Sequence, residues 1–147
     1  MGTFITFPEL FIWLPLLAGL ACFFFKGKAA QSWATLASLV VLGVVVISLF
    51  YTDKEYAAYN KVNYYWMKQI GNSFFVGLDS TSRLLALLTA IAFPVIFIAT
   101  QKNNYKNPAA FYGLMLLAQS GLMGVFVSLD ALLFYFFWEL ALIPVYF

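Results

Sequence analysis

Histidine is absent from this chain, and cysteine occurs once, as Cys22. A zinc, haem or iron–sulfur site built from the usual ligands therefore has almost nothing to use. No disulfide can form within the chain. Charge is scarce as well: only 10% of residues are charged, against about a quarter in ordinary soluble domains. The net charge of +2 is small and the lysines are dispersed, which argues against a nucleic-acid surface. What fills the chain instead is apolar, with 64% hydrophobic residues and a mean hydropathy of +0.90. The polar side chains are too few to cover a globule of 147 residues. The composition is that of an integral membrane protein, and any chemistry must come from a few carboxylates, lysines and hydroxyls.

A hydrocarbon core about 30 Å thick needs about 20 mainly apolar residues per helix. Five stretches approach that length, at 4–25, 33–51, 74–100, 109–129 and 130–147. Such continuous runs do not alternate as barrel strands do, and open sheet edges are not tolerated in lipid. The expected fold is an all-α membrane bundle of five helices. The first run is followed, not preceded, by Lys26 and Lys28, so it reads as a retained helix and not a secretory signal. The fifth is still apolar at Phe147, which suggests a portion of a longer protein. Residues 1–129 thus read as four spans, and 130–147 as the start of a further unit.

Orientation comes from the connections. Lys26, Lys28, Lys102 and Lys106 crowd two short acid-free loops, while Lys54, Lys61 and Lys68 are spread through a longer loop with Asp53 and Glu55. The positive-inside rule then places the N-terminus outside and the compact loops in the cytoplasm. The longer loop carries Tyr51, Tyr56, Tyr59, Tyr64, Tyr65 and Trp66. These suit an aromatic belt at headgroup level or, alternatively, a surface for a neighbouring subunit.

Most of the acids have ordinary explanations. Asp79 stands one turn before Arg83 at the head of the third span, where the two can pair, and a carboxylate there suits the helix dipole. Asp130 can cap the fifth span. Glu139 differs. It lies about nine residues into the fifth span, hence about 13 Å along a helix rising 1.5 Å per residue and near the middle of the hydrocarbon. An acid at that depth costs about 2.5–3.5 kcal/mol on insertion scales and marks ion or proton pathways. The plainer alternative is a neutral glutamate hydrogen-bonded to a neighbouring helix to fix packing. Tyr135 precedes Glu139 by one turn and Tyr146 follows by two. Pro144 has no N–H for the carbonyl of Leu140. Burial favours the neutral acid and a nearby lysine favours the charged one, so a carboxyl held between the two exchanges protons. No lysine lies at that depth in this chain, so the partner must come from elsewhere. In the fourth span, Ser120, Gly124 and Ser128 form a small-residue strip that lets helices approach. Gln119, mid-span, needs a hydrogen-bond partner.

The run FYFFWELALIPVYF, Phe134 to Phe147, resembles the fifth helix of the antiporter-like subunits of respiratory complex I, the proton-pumping NADH:quinone oxidoreductase. It is most similar to the chain M type, in which a Trp-Glu pair precedes Leu-Ile-Pro and a tyrosine. The preceding GLMGVFVSLDALLFY resembles that family's fourth helix and turn. GLDSTSRLLALLT resembles its Gly-x-Asp-Gly-x-Ser opening of the third helix, with Gly77, Asp79 and Ser82 matching. Ser80 and Thr81 depart from the usual glycine and apolar residue there.

The resemblance implies a larger subunit of about fourteen membrane helices of roughly 20 residues each, with its N-terminus outside. It gives Glu139 the role of a proton-relaying acid paired with a lysine on a later helix, beside the supporting Tyr135, Leu140, Pro144 and Tyr146 that helix spacing places near it. It implies a bacterial plasma-membrane location and partnership with other membrane-arm subunits. No cofactor is expected in this chain, because NADH, FMN, iron–sulfur clusters and quinone belong to other subunits. Two other readings share the helix pattern: a subunit of a multisubunit cation/proton antiporter, and a structural helix bundle.

Overall fold

The computed structural model describes residues 5–51 and 61–146, with every side chain among them except those of Trp66 and Met67. Helix α1 is Phe7–Cys22 and α2 is Lys28–Phe50. A hairpin follows, with strands β1, Lys61–Met67, and β2, Asn72–Gly77. Then come α3, Ser80–Ala99, α4, Pro108–Val127, and α5, Ala131–Tyr146. The helices run up and down, so the connections α1–α2 and α3–α4 share one end and the hairpin and α4–α5 turn share the other.

Each helix begins at a recognisable local signal. At α1 the Glu9 carboxylate accepts from the Thr6 amide at 2.9 Å and the Thr6 hydroxyl at 2.8 Å, half of a capping box. Helix α2 starts at Lys28 and not at Trp33, because Lys-Ala-Ala-Gln is good helix material that hydropathy alone overlooks. Gly27, at φ 57°, makes the turn into it. Asn107 accepts from the Ala110 amide at 3.3 Å with Pro108 in the first turn, where a missing N–H costs nothing.

The expectation of helices alone is corrected by the hairpin. Residues 74–77, assigned above to the third span, are strand, and the helix begins at Ser80. Aromatic and β-branched residues fill both strands, which suits a pleated surface, and hydropathy does not distinguish an apolar strand from a helix. The pairing is antiparallel, with Val62 opposite Val76 and Tyr64 opposite Phe74, and is irregular between Tyr65 and Met67. Gly71, at φ 75°, closes the turn. The hairpin is tied to the bundle: Val76 bridges to Ser128, and the Leu129 amide donates to the Phe75 carbonyl at 2.8 Å. Tyr64 and Tyr65 are exposed, and the ring of Tyr51 lies 5.6 Å from that of Phe7. Tyr56 and Tyr59 of the aromatic loop lie outside the described residues.

Helix α4 is the hub, packed against α1, α2, α3 and α5. The core forms two apolar clusters. One, toward the hairpin, gathers Phe11, Val41, Ala90, Met123, Val127 and Phe137. The other gathers Cys22, Ala34, Phe93, Phe97, Tyr112 and Leu116. Two glycine contacts bring α4 close to its neighbours. A Cβ on Gly19 would lie 3.0 Å from the Gly113 carbonyl oxygen, and one on Gly121 would lie 2.6 Å from the Ala141 nitrogen. Such close backbone approach is how membrane helices gain contact without a hydrophobic driving force. Of the five helices, Lys28–Phe50, the run Ser80–Lys102 that adds a 3₁₀ turn to α3, and Pro108–Val127 are long and apolar enough to cross a membrane. The other two are apolar helices of 16 residues each.

Candidate functional site

Helix α5 carries the acid of interest. Asp130 starts it, its carboxylate accepting from the Leu132 amide at 2.8 Å, which meets the capping expectation. Leu133 and Phe137 are the buried residues of the helix. Phe137 occupies the space left by Gly124, and Ala141 that left by Gly121. These contacts fix which side of α5 faces α4. Glu139 points away from that side and is exposed in this chain. Burial of the acid, expected above from its depth, is therefore not provided by these helices. The reason is plain: α4 is the helix that covers α5, and it covers the other side.

The supporting residues divide. Tyr135 has its phenol within hydrogen-bonding reach of the Glu139 carboxylate, as the one-turn spacing predicts. Leu140 packs against the core, and the helix continues through Pro144 with no N–H there for the Leu140 carbonyl. Tyr146 joins Glu139, Leu142, Ile143 and Val145 around an open hollow of about 480 Å³. Acid, phenol and hollow thus share one uncovered side of α5, while Leu140 belongs to the packed side. Among the described residues, no three His, Cys, Asp or Glu side chains come together as a metal site would need.

The other polar residues fall into place around the bundle. Asp79 caps α3, accepting from the Ser82 amide at 2.6 Å. That backbone hydrogen bond, with Arg83 contributing least, holds its carboxyl below the usual range. The expected Asp79–Arg83 ion pair does not close; the carboxylate caps the helix through Oδ1 instead. Arg83 is buried with its Nε unpartnered among the described residues. The strip Ser120, Gly124 and Ser128 does not act as one surface. The Ser120 hydroxyl donates to the Ile12 carbonyl of α1 at 2.8 Å, Gly124 makes room for Phe137 of α5, and Ser128 turns back onto the Gly124 carbonyl. The contacts through Gly19, Gly113 and Gly121 went unread in the sequence; the spacing Gly113, Ser120, Gly121, Gly124 was the available signal. Gln119 is fully buried, with neither amide atom partnered among the described residues.

No family model matches the chain. It is 39% identical over 143 residues to F(420)H(2) dehydrogenase subunit M of Methanosarcina mazei, covering 95% of this chain and 28% of that protein. It is 38% identical over 149 residues to an NAD(P)H-quinone oxidoreductase chain 4 of Trichormus variabilis, covering 97% of this chain and 28% of that protein. NADH-quinone oxidoreductase subunit M of Buchnera aphidicola is 29% identical over 149 residues, with 95% and 30% covered. The chain thus spans less than a third of the length of these relatives. Similarity at this level across nearly the whole chain extends well beyond the Trp138-Glu139 motif, and the chain is of the subunit M, or chain 4, type that these relatives share.

Proposed function

We propose that this chain forms part of a proton-translocating membrane-arm subunit of a complex I-type oxidoreductase, with Glu139 as a proton relay. The observation that carries the reading is a carboxylate and a phenol on the uncovered side of an apolar helix, in a chain of the subunit M family. In the whole subunit, later helices cover that side and bring a lysine to Glu139. The residues toward 146 then line an internal path, and Tyr135 orients the carboxylate. The cost of an acid in hydrocarbon is offset once an amine faces it. Movement of charge in an adjoining subunit shifts that lysine, alters the proton affinity of the acid and moves a proton.

Electron transfer takes place in other subunits, which hold the flavin, the iron–sulfur clusters and the quinone; this chain works by electrostatics alone. The bundle sits in the bacterial plasma membrane with five spans and its N-terminus outside, a placement supported by the lysines of the short loops. The compared relatives carry dehydrogenase and quinone oxidoreductase names, which favours this reading over an antiporter driven by ion gradients.

The test is Glu139→Gln in the complete subunit, with the assembled complex reconstituted in vesicles. Proton pumping per electron should be lost while the complex still assembles. A normal proton-to-electron ratio in that variant would remove Glu139 from the path.

A further inference from the structure

Gln119 poses a question that the proton-relay reading leaves unanswered. Its side chain is fully buried, and both the amide nitrogen and the amide oxygen lack partners among the described residues. A buried amide left unbonded is costly, and such groups in native proteins are usually met by protein or by ordered water. Helix periodicity shows what lies beside it. Tyr112 and Gln119 are seven residues apart, so they lie about 20° apart around α4. The ring of Tyr112 packs on Phe97 of α3, with centroids 5.7 Å apart. Ala90 precedes Phe97 by seven residues and shares its side of α3. Because α3 and α4 run antiparallel, stepping about 10 Å along each from the Phe97–Tyr112 contact brings Ala90 level with Gln119.

At that level the polar groups converge. Pro94 interrupts α3 and has no N–H for the Ala90 carbonyl, which points toward the C-terminal end of α3. The Gln119 side chain leans toward the N-terminal end of α4. In an antiparallel pair these are the same end, so amide and carbonyl are aimed alike. No hydrogen bond joins them directly. The cluster membership agrees: Leu116 belongs to one apolar cluster and Met123 to the other, with Gln119 between them. Ser38 stands in the same place on α2, between Ala34 and Val41, and is fully buried. Its hydroxyl donates to the Thr35 carbonyl at 2.9 Å, which leaves its oxygen able to accept. Ala90 and Ser38 are both small and fully buried.

We infer that Gln119 is the anchor of an internal water site at mid-height of the four-helix bundle α1–α4, between the two apolar clusters. A water there accepts from the Gln119 Nε2 and donates to the Ala90 carbonyl, and a second proton reaches the Gln119 Oε1 or Ser38 Oγ. Two to four polar partners are what a buried water requires. The site is distinct from Glu139, which lies on the far side of α5.

The test is a map of the complete subunit in its assembled complex, at a resolution that resolves ordered water. Density within hydrogen-bonding distance of both the Gln119 amide and the Ala90 carbonyl is expected in the wild type. In Gln119→Leu that density should vanish and the melting temperature should fall by a few degrees, because the Ala90 carbonyl loses its donor. A wild-type map with the amide bonded to protein, or with no water peak, overturns the inference. So does a melting temperature raised by Gln119→Leu, since an amide with nothing to bond is better replaced by an apolar group of similar size. Should that variant fail to assemble, the wild-type map decides by itself.

Discussion

Asp79 shows how much a single carboxylate does at the mouth of a helix. Its bond from the Ser82 amide is short, and the charged form is favoured by it. Asp79→Ala should cost about 1 kcal/mol, the usual loss for an N-cap, read as a lower melting temperature of the subunit in detergent. The sign with pH follows from the lowered proton affinity. The contribution is fully present above the carboxyl's unfolded value, near pH 4, and is lost as pH falls through the lower folded value. Wild type and Asp79→Ala should therefore converge in stability on strong acidification, and a constant gap would refute the cap assignment. Ser120→Ala removes the hydroxyl that the Ile12 carbonyl accepts from across the α1–α4 contact, and a loss of about 1 kcal/mol is expected in the same measurement. The cap at Asp130 and the mid-span place of Gln119 were legible in the sequence at this scale. The failure of Asp79 to pair with Arg83 was not, because one turn of separation serves an ion pair and a cap equally well.

Among the helices, the consequential contacts are the ones made by missing side chains. Gly121 and Gly124 let Ala141 and Phe137 of α5 settle against the backbone of α4. Gly121→Val should destabilise the α4–α5 contact by about 1–3 kcal/mol, as forced overpacking does. Gly43, in α2, has open space where a methyl group would stand, so Gly43→Ala should be neutral or stabilise by up to about 1 kcal/mol. Thermal unfolding of the two variants side by side checks the contrast, and equal effects would show that the glycines are not packing sites. Hydropathy gave the mostly helical character of the described residues, since long apolar runs favour helices in lipid. It missed the hairpin because Phe74, Phe75 and Val76 are as apolar as the helix that follows, and only their β propensity and the turn at Gly71 set them apart. It also missed the first turn of α2, whose residues are helical without being hydrophobic.

For the molecule as a whole, the uneven covering of α5 is the main feature. Four helices enclose a shared core, while the fifth keeps Tyr135, Trp138, Glu139 and Leu142 on an open side. In the complete subunit, Leu142→Cys in a Cys22→Ser background should resist thiol reagents until the protein is denatured. Ready labelling in the native complex would mean that no further helix lies there. Sidedness is checked the same way: an impermeant reagent on intact cells should label Gly71→Cys, and should label Asn104→Cys only after permeabilisation. The reverse pattern would invert the bundle.

The bond from the Leu129 amide to the Phe75 carbonyl has a consequence for that open side. It fastens the root of α5 to strand β2, so the azimuth of the helix, and with it the bearing of Glu139, is tied to the hairpin. A hairpin tilted against the bundle would carry the bearing of the acid with it, as a post turns its rudder.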